Sequence, residues 1–490
     1  MSDPQGNNSL VKLNRRECIG GIGLGGIALA WLLAEQDAAA MPAASPAKSP
    51  LAAKAPHFEA RAKNVIFLFM VGGASHLETF DYKPTLKKFA GKSAHELFSE
   101  DELRGFNPEK DFSKSAILPP VFKFKPYGQS GHWVSEIYPQ LGQVVDEIAM
   151  IKSMYAGSPL HSVGQLLMHT GYNRPGFPSL GAWLSYGLGT GNRNMPSFVV
   201  MRDGPSTDSS GGPSMYRSGF LPSVHQAMVV ETQKNRPPVE HLSRLPHITR
   251  DRQRRQLELM AKLNRKHREQ HATQPELDAR IDVFERAFSM QSAAPELLDL
   301  RGEPASVRDL YGDTQFGRQC LTARRLVENG VRFVEIFDGA VGRRWDAHGN
   351  RGGLVDNHRG NAARTDRAIA GLITDLKARG LLDETLIVWA TEFGRTPFEE
   401  ADRNSKVGRG HHHYGFTMWM AGGGVKRGFS YGATDELGMH AVENRVSHYD
   451  LHATILHLLG LDHTQLTYRY NGRDFGLTDV HGRVVHDLLA

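Results

Sequence analysis

Three short stretches of this chain concentrate side chains that bind divalent cations: Trp345-Asp346-Ala347-His348, Thr391-Glu392-Phe393-Gly394-Arg395 and Gly410-His411-His412-His413. The second follows the apolar run Leu386 to Ala390, which puts Glu392 at the carboxyl end of a buried strand, where α/β hydrolytic enzymes assemble metal sites. A carboxylate buried there is costly without a partner, and either a divalent cation or Arg395 relieves the cost. Asp346 and His348 sit on a Gly-rich loop that can bend both side chains to one point. In an extended loop alternate side chains face together, so His411 with His413, or His412 alone, converges on a site. Each stretch also fits a solvated polar loop, and the conjunction with Glu392 favours a metal.

Two further groups carry possible chemistry. His76, Glu78 and Asp81 follow the apolar run Asn64 to Met70 and Gly72-Gly73, offering ligands or acid/base groups, while Ser75 and Glu78 also have the spacing of a capping box. His161 and Ser162 in Pro159-Leu160-His161-Ser162 fall at an expected helix N-terminus, where backbone N–H groups favour an oxyanion. A hydroxyl there is either an activated nucleophile or an N-cap.

Alternating elements must position these residues. Strands are expected at Asn64–Met70, Ile148–Ile151, Pro196–Met201, Val331–Phe337, Leu386–Ala390 and Phe416–Met420, separated by helical segments as in a parallel sheet. Long helices are expected at Arg359–Gly380 and Asp450–Leu459, with a helical insertion around 245–329.

The chain's 58 Lys+Arg against 53 Asp+Glu give a net charge of +5 with no single basic tract, so nucleic acid is not an expected partner. Residues 1–40 read as a twin-arginine-type signal segment, with Arg15-Arg16 before the Gly/Ala/Leu run Gly20 to Ala34. Membrane contact is expected through this segment only, because its apolar run is too short for an ordinary span. Residues 41–62 have the Ala/Pro-rich composition of a mobile linker, leaving 63–490 as the folded domain. Of two cysteines, Cys18 lies in the signal segment, so no intrachain disulfide framework is expected around Cys320.

Over nearly its whole length the chain resembles the exported, sulfatase-like proteins called domain of unknown function 1501, in the alkaline phosphatase superfamily. The resemblance is carried by the Asn14-Arg15-Arg16 leader, Asn64 to Asp81, Phe122 to Gly131, Pro178 to Trp183, Thr391 to Pro397, Gly415 to Gly424, Tyr431 to Asp435 and Asp450 to Leu461. It implies a three-layer α/β/α sandwich with a mostly parallel central sheet and a metal site at the strand ends. Glu392 stands where the superfamily has an aspartate, Phe393 where it has the adjoining histidine. Asp346 and His348 resemble its Asp/His pair, and His411 or His412 its late histidine. The paired aspartates after the first strand are replaced by Val71-Gly72, leaving His76 or Asp81 to compensate. The sulfatase cysteine is replaced by His161 with Ser162 beside it, so formylglycine chemistry is excluded, and Gly410 stands where relatives often have aspartate.

The expected function is an exported metal-dependent hydrolase of sulfate or phosphate esters, with sulfated polysaccharide as a candidate substrate. A divalent ion (Ca, Mg, Zn or Mn) is expected on Asp346, His348, Glu392, His411 or His412, and His76. Ser162 or His161 is the expected nucleophile unless water attacks directly, and Arg395 suits an anionic ester. The alternative is a non-catalytic surface or periplasmic protein that binds sulfated glycans or a partner protein.

Overall fold

The computed structural model describes residues 51–106, 112, 114–192, 194–203, 210–232, 238–239, 242, 244, 247–270, 275–339, 344–349, 353–400 and 407–490. The expected signal segment and residues 41–50 of the expected linker lie outside the described residues. From Leu51 onward that linker is an ordered strap: Leu51 is buried, its carbonyl accepts the Thr190 N–H, and the N–H groups of Arg61 and Ala62 reach the Leu458 carbonyl.

In chain order the strands are β1 (Asn64–Met70), β2 (Phe124–Tyr127), β3 (His132–Ser135), β4 (Ile148–Tyr155), β5 (Phe198–Arg202), β6 (Met228–Glu231), β7 (Phe333–Asp338), β8 (Thr385–Ala390), β9 (Gly394–Glu399), β10 (Arg409–His412), β11 (Phe416–Ala421) and β12 (Phe429–Tyr431). The longer helices are α1 (His161–Thr170), α2 (Leu180–Leu188), α3 (Arg250–Gln270), α4 (Pro275–Leu298), α5 (Gln315–Glu328), α6 (Gly353–Ala378) and α7 (His448–Leu458). The main sheet has the order β12-β4-β11-β8-β1-β7-β5-β6, with Val446–Ser447 pairing beside β4. Its central strands β8, β1, β7 and β5 are parallel. Only β11 runs against its neighbours β8 and β4, so the sheet is mixed.

Helices cover both faces because the central strands are apolar on both. In β1, Val65, Phe67 and Phe69 join a core with Met168 of α1, Leu184 of α2 and Leu451 and Ile455 of α7. The intervening Ile66, Leu68 and Met70 join a second core with Leu321 and Leu326 of α5 and Ile369 and Leu372 of α6. Strand period 2 thus divides one strand between two cores, which is the α/β/α sandwich. Helices α3 and α4, in the expected insertion, pack against one another. Among the described residues no helix is long and apolar enough to cross a membrane.

Candidate metal centre

The carboxyl ends of β1, β7 and β8, the N-terminus of α1 and the antiparallel ribbon β9–β10 meet at one edge of the sheet. Thr391 fastens two of these ends, its Oγ1 donating to the Met70 carbonyl (2.9 Å) and accepting the Ala74 N–H (3.1 Å). Asp338, closing β7, accepts from Trp345 Nε1 (3.0 Å) and Arg364 Nη1 (2.6 Å) and so anchors the loop that carries Asp346 and His348. The β1 turn and that loop nearly touch: Gly72 has φ 111°, and a Cβ there would stand 2.8 Å from the Asp346 nitrogen.

Four side chains from three parts of the chain converge, with ligand atoms of His161, Asp346, His348 and His411 all within 4.8 Å of one another. His348 Nε2 lies 2.7 Å from Asp346 Oδ1 and 2.8 Å from His411 Nε2. His161 Nε2 lies 3.4 Å from Asp346 Oδ2, and His411 Nε2 is 3.3 Å from Asp346 Oδ1. All four residues are partly exposed, so the point between them is open to a ligand from solvent.

Two of the imidazoles are oriented from behind by carboxylates. His161 Nδ1 donates to Glu392 Oε1 at 2.9 Å, and His348 Nδ1 donates to Glu400. Both hydrogen bonds aim Nε2 at the cluster, so that a ring which gives up its Nε2 proton would present that lone pair to a metal. Glu392 is itself fully buried and also accepts from the Gly72 N–H (2.8 Å) and Gln165 Nε2 (3.1 Å). Helix α1 comes this close to Glu392 because Gly164 faces it; a Cβ there would sit 3.2 Å from the Glu392 Cβ.

The charges follow from these contacts. Burial alone would raise the Asp346 carboxyl, but the Arg395 charge and hydrogen bonds from His161, His348 and His411 hold it far below the usual carboxylate range. Burial disfavours the His161 cation, yet hydrogen bonds to Asp346 and Glu392 outweigh it and push the imidazole up to about 9. Burial also raises Glu392, but its bond to His161 leaves it below the ordinary glutamate value. His411 is pushed down to about 3, chiefly by burial, and stays neutral near pH 7. Three imidazoles and one ionised carboxylate suit a divalent transition metal, for which imidazole is the preferred neutral donor.

The sequence expectations separate here. Asp346, His348 and His411 meet as one set; His161, expected as a nucleophile, stands among the donors; Glu392, expected as a ligand, supports His161 from behind. His412 points away because β10 is a strand, and strand alternation sends His411 and His412 to opposite faces. His412 Nε2 meets the Met439 carbonyl, and His76 Nε2 meets the Gly438 carbonyl at 2.9 Å, their rings stacked 6.1 Å apart. Neither reaches the cluster. Ser162 is the second residue of α1, not its cap, and its hydroxyl has no hydrogen-bond partner among the described residues.

Arg395 is fully buried, and its guanidinium is already committed. It donates to the carbonyls of Gly72, Gly73 (2.8 Å) and Arg409 (3.2 Å) and to Asp346 Oδ1 (2.6 Å), which positions Asp346 and leaves little for an anionic ester. Ser75 forms no cap hydrogen bond, and Glu78 instead meets the Val121 N–H and the buried guanidinium of Arg409 at 2.7 Å. Asp81 pairs with Lys83 (3.2 Å) and Thr434.

Sequence reasoning missed Gln165 and Glu400. Gln165 lies four residues after His161 on one helix, a spacing that puts both on one face. Glu400 had no local signal, since its contact with His348 joins the end of β9 to a loop 52 residues earlier.

No curated protein matches this chain. Among solved structures, a sulfatase from Pseudoalteromonas sp. aligns over 82% of this chain and 68% of its own, with 12% identity and a TM-score of 0.35. The lipoteichoic acid synthase LtaP from Listeria monocytogenes aligns over 87% and 78%, with 9% identity and a TM-score of 0.36. A phosphonate monoester hydrolase from Silicibacter pomeroyi aligns over 72% and 71%, with 13% identity and a TM-score of 0.31. The model of the DUF1501 family, described as proteins of unknown function, matches residues 62–489, nearly the whole described chain, and the chain belongs to that family.

Proposed function

We propose that the protein is a metal-dependent hydrolase of sulfate or phosphate esters, exported through its amino-terminal segment. The observation that carries the reading is the pair of carboxylate-oriented histidines, Glu392–His161 and Glu400–His348, whose Nε2 atoms share a partly exposed point with Asp346 and His411. Surface histidines have no need of a buried carboxylate behind them, whereas ligands do. His161, Asp346, His348 and His411 would hold the ion, and this nitrogen-rich set favours zinc over calcium or magnesium, which prefer oxygen. When bound, the ion supplies positive charge against the negative charge that develops on the ester oxygens.

The remaining steps belong to the chain. Arg395 keeps Asp346 ionised and in place. Phe393, whose ring centroid lies 5.1 Å from that of His161 and 4.8 Å from that of His411, walls one side of the cluster and limits access of bulk water. Ser162 has no base in contact, so water is the nucleophile, adding across the ester to give an alcohol and free sulfate or phosphate. The test is elemental analysis of the purified protein together with hydrolysis of an aryl sulfate and an aryl phosphate. Bound zinc, and turnover lost on chelation and in His348→Ala, are expected. A folded protein that binds no divalent ion, or whose turnover survives His348→Ala, refutes the proposal and leaves the reading of a glycan-binding protein.

A further inference from the structure

Helix α1 carries a polar stripe longer than the metal centre requires. His161, Gln165 and His169 recur every fourth residue and so share one face of the helix. Each meets a carboxylate of the sheet: His161 Nδ1 and Gln165 Nε2 reach Glu392 Oε1 at 2.9 and 3.1 Å, and His169 Nε2 reaches Glu335 Oε1 at 2.8 Å. The first two contacts support the cluster. The third lies roughly 12 Å further along the helix and supplies none of the four converging ligand atoms.

Its surroundings make that third contact costly. Glu335 stands within β7 on the face shared with Phe333 and Phe337, and its register partners are Phe67 of β1 and Val200 of β5. The His169 ring packs against Phe69 (4.4 Å, 75°) and Phe337 (5.4 Å, 16°), and both members of the pair are almost fully buried, with side chains 3% and 2% exposed. Burial outweighs the attraction of His169 and raises the Glu335 carboxyl above the usual glutamate value. A buried pair in such a setting contributes no more to stability than apolar side chains of similar size. What hydrocarbon lacks is direction. Apolar contacts tolerate a small roll of a helix over a sheet, whereas a roll of α1 would part His169 from Glu335 and strand both in hydrocarbon. His169 Nδ1 also donates to the Gln165 carbonyl (2.6 Å), so the ring is fixed to the helix that it orients. The tolerance at the other end is small. Side-chain tips stand about 6 Å from a helix axis, so a roll of about 10° moves them by roughly 1 Å. A ligand set works only within about 0.5 Å of its geometry.

We propose that Glu335 and His169 are positioning residues, whose buried contact sets the roll of α1 and so brings His161 and Gln165 to Glu392 and the metal centre. The inference takes its purpose from the hydrolase reading, while the setting of α1 is testable without it. The experiment uses two variants of the full chain, Glu335→Leu combined with His169→Leu, and Glu335→Gln alone. Each is crystallised, unfolded thermally, and titrated with zinc after chelator treatment. In the doubly substituted chain the unfolding temperature should hold or rise, while the contact between His161 and Glu392 opens and zinc binds about tenfold or more weakly. In Glu335→Gln a carboxamide still meets His169 Nε2, so the contact should persist and zinc affinity stay within about threefold. A doubly substituted chain that keeps the contact, or binds zinc as tightly as the unsubstituted protein, overturns the inference. So does one that fails to fold, which would make the pair an ordinary stabilising contact, and so does a Glu335→Gln protein that loses the contact or the zinc. If the unsubstituted protein binds no zinc, the hydrolase reading falls, and the crystal structures alone decide whether the pair sets α1.

Discussion

Glu392→Gln separates a ligand from a supporter of a ligand. Glu392 Oε1 accepts three hydrogen bonds, from Gly72 N–H at 2.8 Å, His161 Nδ1 at 2.9 Å and Gln165 Nε2 at 3.1 Å. A glutamine that keeps its carbonyl oxygen at that position retains all three, but the bond to His161 is no longer charge-assisted. Charge assistance is worth roughly half of such a bond, so the loss is about 0.8 to 1.5 kcal/mol. If that energy orients the His161 ring, it appears as a roughly four- to twelvefold weaker metal affinity. Were Glu392 a direct ligand, removing its charge from the inner set would abolish tight binding. The assay is zinc titration of chelator-stripped protein by calorimetry, with thermal unfolding of the metal-free variant as the control for folding. Affinity within about twofold of the unsubstituted protein, or complete loss of binding by a folded variant, refutes the reasoning. Glu392→Ala is the wrong probe, since it strands three donors beside a fully buried gap at about 1 to 3 kcal/mol each.

Four other outcomes are open to measurement. Glu78→Gln should lower stability to urea by about 3 to 5 kcal/mol, because it leaves the fully buried Arg409 without its counter-charge. Ser162→Ala should keep turnover within about threefold, since the hydroxyl has no hydrogen-bonded base; a complete loss would make Ser162 the nucleophile. Zinc should restore chelated protein at far lower concentration than calcium, read by elution and turnover, and a calcium preference would refute the nitrogen-rich donor set as the site. Stability should also fall on acidification. Burial depresses His225 and His448 to about 3 and His452 to about 4, below the 6.5 of an unfolded histidine, so below that pH the unfolded chain binds protons the native chain refuses. Their contribution is complete well above pH 6.5 and is lost as pH falls from there toward about 3. Three such groups steepen the decline to about 4 kcal/mol per pH unit, and a flat denaturation midpoint between pH 6.5 and 5 would refute it.

The sheet was legible because its central strands are continuous apolar runs, and the run Asn64 to Met70 coincides with β1 residue for residue. What local pattern cannot carry is direction: β11 reads like the others in sequence but runs antiparallel, a choice made by the connection that precedes it. The site divides along the same line. Asp346, His348 and His411 were visible as residue types in compact motifs, yet which histidine of the run enters the cluster depends on Arg409–His412 being a strand paired to β9, and a Gly-rich, charged segment gives little sign of that.

The roles of Glu392 and Arg395 were harder still, because a buried carboxylate beside an arginine reads the same whether either one touches the metal. The geometry resolves them by exclusion of space. The first strand is followed by Val71-Gly72, and at Gly72 the Asp346 backbone comes so near that no side chain fits. Glu392 bonds the Gly72 N–H, and Arg395 fills the remaining gap by gripping the Gly72 and Gly73 carbonyls together with Asp346. The cluster is accordingly rich in imidazole nitrogen, with His161 supplied by α1. A Gly72→Asp substitution therefore should not rebuild a carboxylate-rich site. It should destabilise the protein by more than a surface change, through backbone strain at φ 111° and the clash with the Asp346 nitrogen, and it should weaken zinc binding by displacing Asp346. A folded Gly72→Asp protein with tighter zinc or calcium binding would show that the cavity for a first-strand ligand still exists, and that the histidine cluster is only part of the centre.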